Sequence, residues 1–111
     1  MTPFEIKLAE RRRLLILQFL YRAGCQASDR ELEIGLKAVG ARQGLTLQAV
    51  RDDIHWLGQK ELVAYDVITD GAADPDEEER VYFVAKVTDE GIAVAQGNIT
   101  VKGVRRAIDE A

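Results

Sequence analysis

Gln48, Arg51, His55 and Gln59 recur at intervals of three and four residues, with Asp52 among them. At about 100° per residue, that spacing gathers all five on one side of a helix. Gln, Arg and His are side chains that hydrogen-bond to the edges of bases in a major groove: Gln pairs with adenine, Arg with guanine, and His with a base or a phosphate. Asp52 and Asp53 oppose that chemistry unless they orient Arg51 or accept from cytosine. A second set of candidates is cationic and suits phosphate oxygens: Arg11, Arg12 and Arg13 near the start, and Lys102, Arg105 and Arg106 near the end.

Other chemistries lack their parts. His55 is the single histidine and Cys25 the single cysteine, whereas a structural zinc site normally takes four protein ligands, so no metal is expected. One cysteine permits no internal disulfide, as in a reducing compartment. Gly40 and Gly44 lack the Lys-Ser/Thr that completes a phosphate-binding loop, and no nucleophile lies near His55 in the sequence. The densest carboxylates, Asp74 to Glu79, fall in a loop, where two acids are not held in a fixed catalytic geometry. The expectation is a protein without enzymatic activity or cofactor.

The element that carries the candidate face is a helix from Thr46 to Lys60. Leu47, Val50, Ile54 and Leu57 form its apolar stripe, and Leu45 and Val50 stand at the positions of a hydrophobic staple around the cap Thr46. A helix expected over Pro3 to Ala23, closed by Gly24, precedes it. That helix is apolar nearly all round from Leu14 to Tyr21, so it needs cover on more than one side. The cover is either the last helix or a second copy of the chain; a homodimer through Leu15, Ile16, Phe19, Leu20, Ile92 and Val94 is expected. Ser28 to Glu31 reads as a capping box opening a second helix, with Leu32, Leu36 and Val39 inward and Gly40 at its end.

After the third helix, Leu62 to Thr69 and Val81 to Val87 are rich in Val, Ile, Tyr and Phe and bracket Asp70-Gly71 and the acidic run, the pattern of a β-hairpin with a long acidic tip. Thr88 caps a fourth helix that Gly97 ends, and residues 98–111 form a partly flexible arm after a domain of residues 1–97. The fold class is therefore α+β: a three-helix core, a two-stranded wing and an additional C-terminal helix.

Net charge is −4 over 111 residues, the wrong sign for a generic nucleic-acid binder, but it is unevenly spread. Residues 1–60 hold ten Lys/Arg against seven Asp/Glu, and residues 61–111 hold five against twelve. The longest apolar run in the first helix, Leu14 to Leu17, is too short to cross a bilayer, and no signal-peptide pattern precedes it, so a cytoplasmic location is expected.

The order of helices and hairpin, with Val50-Arg51-Asp52-Asp53-Ile54-His55-Trp56-Leu57 leading to Leu62-Val63, resembles the winged helix-turn-helix repressors related to ArsR and MarR. Four further stretches resemble a small family of Mu-like phage and prophage proteins over almost the full chain. They are Arg11 to Leu17, Trp56-Leu57 before Leu62-Val63, Thr88-Asp89-Glu90-Gly91 with Ala95-Gln96-Gly97, and Gly103-Val104. The resemblance implies a winged-helix fold and a phage or bacterial setting, in a family without an assigned activity. It departs from the winged-helix pattern at Glu61, where glycine is common before the hairpin, and at the acidic hairpin tip, where a wing that grips phosphates is basic. The resulting expectation is a transcriptional regulator that binds double-stranded DNA as a homodimer. The alternative is a protein-protein adaptor that uses the acidic wing and binds no DNA.

Overall fold

The computed structural model describes residues 1–70 and 80–107. In chain order its elements are α1 (Pro3–Arg22), β1 (Gln26–Ser28), α2 (Asp29–Ala38), α3 (Leu47–Gln59), β2 (Val63–Asp70), β3 (Arg80–Val87) and α4 (Asp89–Ala95), a mixed α+β architecture. The acidic run Asp74 to Glu79 lies outside the described residues, as does the end of the C-terminal arm.

Each of these helices begins on a hydroxyl. Thr2, Ser28, Thr46 and Thr88 accept from the backbone N–H three residues on, and Glu5 and Glu31 complete capping boxes at Thr2 and Ser28. Each also ends in a left-handed residue whose successor returns a hydrogen bond to the last turn: Cys25 N–H to Leu20 O, Ala41 to Leu36, Leu62 to Leu57 and Asn98 to Ala93. Three of the left-handed residues are Gly24, Gly40 and Gly97, and the fourth is Glu61 at φ 60°. The geometry that favours glycine is thus kept at Glu61 with a Cβ in place, at a cost of roughly 1 kcal/mol.

The sheet has the order β1-β3-β2, antiparallel throughout, with Ala27 opposite Ala85 and Val67 opposite Phe83. The hairpin lies where the two runs rich in Val, Ile, Tyr and Phe place it. The third strand was not legible: β1 has three residues, its last is also the cap of α2, and its pairing partner lies almost sixty positions along the chain. At the other end of the hairpin, the Thr88 hydroxyl donates toward Glu61 O and Leu62 O. Gly91 packs so tightly on Leu62 O that a Cβ there would overlap it, which locks α4 against the start of β2.

The core gathers Leu14, Leu17, Leu20, Leu32, Leu36, Ile54, Leu57 and Leu62 with smaller side chains from β3 and α4. The greasy circumference of α1 is closed within one chain, by α4 on one side and by α2, α3 and β3 on the other. This corrects the expected interface between copies at Ile16, Leu20 and Val94. All three are buried inside the single chain and have no surface to offer. Leu15, Phe19 and Ile92 are only partly buried. No helix among the described residues is long and apolar enough to cross a membrane.

Candidate nucleic-acid interface

The hairpin meets α3 through Gly58. A Cβ at that position would come within 2.8 Å of the Tyr65 ring, so glycine lets the ring lie against the helix. Tyr65 stacks on Phe83 at a centroid distance of 5.6 Å, and its hydroxyl lies 2.6 Å from His55 Nδ1. Between helix and hairpin this leaves an open depression of about 420 Å³ with walls from Arg13, Gln48, His55, Trp56, Gln59 and Phe83.

The five polar residues of α3 do not share one environment. Gln48, Asp52, His55 and Gln59 are exposed, and Gln48 Nε2 donates to Asp52 Oδ1 at 2.8 Å. Arg51 is drawn inward. Its Nε donates to Asp29 Oδ2 at 2.7 Å, its Nη2 to Val81 O at 2.7 Å, and its guanidinium lies 5.1 Å from the centre of the Phe83 ring. Asp29 is wholly buried and Arg51 is 20% exposed, so the expectation that Arg51 projects into solvent is corrected. A buried carboxylate needs a cation, and Arg51 is the cation within reach.

The arginine cluster of α1 is committed in the same way. Arg12 bonds to Asp53 through Nε and Nη2, and Arg13 Nε donates to Asp53 Oδ1 at 3.2 Å. Arg12 is 14% exposed, which withdraws it from the expected phosphate contacts. Asp53 sits at the join of α1 and α3, where burial pushes its carboxyl above the ordinary range and the hydrogen bonds and charges of Arg12 and Arg13 pull it back only in part. Arg11 stays half-buried on α1.

Sequence reasoning missed Asp29 as a site residue and gave Asp53 to the outward face of α3, where the structure buries it against Arg12 and Arg13. A signal was there: each falls within about 60° of an apolar stripe, Asp53 beside Val50 and Asp29 beside Leu32. Charged residues at such positions call for partners on neighbouring elements.

Arg13 extends the site to the C-terminal segment. Its guanidinium stacks 4.1 Å over the Trp56 ring while Nη1 donates to Gly103 O at 3.0 Å. Gly103, at φ 96°, lies so close to the same indole that a Cβ would overlap it. Val104 is buried, and Arg105 N–H donates to Glu10 O at 3.2 Å. The segment is thereby laid back along α1. Lys102, Arg105 and Arg106 are exposed on it, Lys7 joins Arg105 and Arg106 around a second depression, and Lys60 stands 5.5 Å from the Trp56 ring. Lys7 near the start of the chain and Lys102, Arg105 and Arg106 near its end give α1 and the C-terminal segment a basic ridge, in which Glu10 lines the depression shared by Lys7, Arg105 and Arg106. Among the described residues no group of three His, Cys, Asp or Glu side chains is placed to hold a metal ion.

The fold and this surface define a small α+β protein with a polar helix face beside a basic ridge. The chain is similar to the "Uncharacterized protein gp26" of Escherichia phage Mu, with 32% identity over 99 residues that cover 89% of this chain and 90% of that protein. It belongs to that phage-protein family. No family model matches the chain, and no solved structure matches it.

Proposed function

We propose that the chain is a winged helix-turn-helix module that binds double-stranded DNA and acts as a phage or bacterial transcription regulator. The helix order, a short β1 bound to β3, and a hairpin directly after α3 support the winged-helix reading. The observation that carries the DNA reading is the basic ridge. In a chain of net charge −4, Lys7 of α1 shares a depression with Arg105 and Arg106 of the C-terminal segment, Glu10 lining it too, and Lys102 is exposed on the same segment, while Lys60 ends α3, the helix that exposes Gln48, His55 and Gln59. Phosphates take the ridge and base edges take α3. With Arg51 held by Asp29, the outward face of α3 favours adenine through its glutamines over guanine.

Fluorescence anisotropy against mixed genomic duplexes at about 50 mM salt tests the reading. Four or so phosphate contacts give an affinity that falls with salt at a logarithmic slope of about −3.6. The double variant Lys102→Glu, Arg106→Glu flattens that slope by about 2. No binding at low salt rejects the proposal.

A second reading, a protein-protein adaptor without DNA binding, has its own support. Three of the four arginines of α1 and α3 expected to touch DNA, Arg12, Arg13 and Arg51, are held in ion pairs, and Asp52, Asp66 and Asp70 are exposed on α3 and the hairpin. Absence of duplex binding together with capture of a basic protein through the hairpin would select it.

A further inference from the structure

One side chain on the polar face of α3 has its hydrogen-bonding sense set by the hairpin. His55 Nδ1 lies 2.6 Å from the Tyr65 hydroxyl, and the two rings meet edge to face at 79°. Tyr65 is held from behind. Its ring stacks within 6° of parallel on Phe83 and lies against the surface that Gly58 keeps free of a Cβ. Phe83 in turn lies under the Arg51 guanidinium, which the buried Asp29 carboxylate holds at 2.7 Å. A continuous series of contacts thus runs from the start of α2 to the exposed His55.

Elementary acid-base chemistry places the proton in that bond. A phenol O–H is a far stronger acid than the N–H of a neutral imidazole, and an imidazole nitrogen is a far better acceptor than a phenol oxygen. In neutral His55 the Tyr65 hydroxyl therefore donates to Nδ1, which puts the ring proton on Nε2. In the imidazolium both nitrogens carry protons, and Nδ1–H donates to the hydroxyl oxygen instead. Nε2 is protonated in both forms. Among the described residues it has no hydrogen-bond partner, and His55 lines the depression that Gln48 and Gln59 share.

We propose that Tyr65 is a positioning residue that fixes His55 Nε2–H as a donor, so that His55 recognises an acceptor on the DNA: purine N7, guanine O6, thymine O4 or a phosphate oxygen. The amino groups of adenine and cytosine are refused, because two donors would then face each other. The partner assigned here rests on the DNA reading above, whereas the tautomer is a property of the free chain.

Two measurements test the two halves separately. In nitrogen NMR spectra of the free full chain at about pH 8.5, some two units above the ordinary imidazole value, His55 should show a protonated Nε2 and a bare Nδ1. Tyr65→Phe keeps the ring on Phe83 and removes only the hydroxyl, so it should admit a minor Nδ1–H tautomer while the thermal melt stays unchanged. A protonated Nδ1 in the parent, or a tautomer that Tyr65→Phe leaves unaltered, overturns the proposal. On a duplex selected by the parent from a random library, Tyr65→Phe should weaken binding about threefold to tenfold, the contribution of one hydrogen bond, and should have no further effect in a His55→Ala background. An equal loss in that background also overturns it, since Tyr65 would then act without His55. His55→Ala should relax the preference at one base pair where the acceptor is a base edge, and weaken all duplexes alike where it is a phosphate oxygen. The expected tautomer without duplex binding rejects the DNA reading and the recognition step with it; the other tautomer with duplex binding intact rejects this inference alone.

Discussion

Replacing Arg51 with alanine distinguishes a residue that reads DNA from one that holds the scaffold together. The guanidinium bridges three elements: Asp29 at the first turn of α2, α3 itself, and the Val81 carbonyl on β3, each bond at 2.7 Å. Removing it strands a carboxylate with no solvent exposure. Breaking a buried pair from one side costs about 3–5 kcal/mol. The lower end applies here, because Arg51 is partly exposed and Asp29 Oδ1 still accepts from the Arg30 N–H at 2.9 Å. Loss of the Val81 bond and of the Phe83 contact adds to the deficit, so about 3 kcal/mol is expected. At a urea slope of about 1.5 kcal/mol per molar, the unfolding midpoint falls by about 2 M. Asp29→Asn, which keeps an acceptor for Arg51, should cost less, about 1–1.5 kcal/mol. A double-mutant cycle between Arg51 and Asp29 should return a coupling of about 2 kcal/mol. A midpoint within about 0.3 M of the parent for Arg51→Ala, together with weakened duplex binding, would refute this account and restore Arg51 as a solvent-facing base reader.

Two further outcomes follow from single positions. Glu61→Gly relieves the left-handed backbone at the end of α3, and a gain of about 0.5–1 kcal/mol in chemical unfolding is expected; an unchanged or lowered midpoint would mean that Glu61 makes a compensating contact. Asp53 bears on pH: because burial raises its folded-state value above the ordinary 3.8, the native state binds the proton more tightly than the unfolded chain. Its contribution to stability is therefore fullest below that ordinary value and is lost as pH rises through the raised one. The stability of the parent minus that of Asp53→Asn should decline over that window and then level off, and a difference that instead grows with pH would show that Arg12 and Arg13 outweigh burial.

Local signals carried most of the element pattern. Thr46, Ser28 and Thr88 announce their helices because a hydroxyl satisfies an otherwise orphan amide whatever the rest of the chain does. The hairpin follows from two β-rich runs around Asp70-Gly71, and its strands end within a residue or so of where the pattern sets them. β1 escaped notice because three residues carry no period, and their pairing with β3 exists only once the chain has folded. The exposed part of the candidate face, Gln48, Asp52, His55 and Gln59, was legible for the same reason as the helix that carries it. Arg51 was not, since a helix wheel counts angles and is blind to a buried carboxylate on the neighbouring helix.

The sequence by itself determined where the helices begin and end, which side of α3 is apolar, and that the chain shares a family with a phage protein. Tertiary structure decided which charges remain available. Asp29 and Asp53 become costly when water is removed from them, so they draw Arg51, Arg12 and Arg13 out of the surface. The cover of α1 was decided in the same way: once α4 folds back onto it, Ile16 and Leu20 belong to the interior. Both outcomes depend on which elements meet, and that is settled by contacts between residues far apart in the chain, which no local pattern encodes.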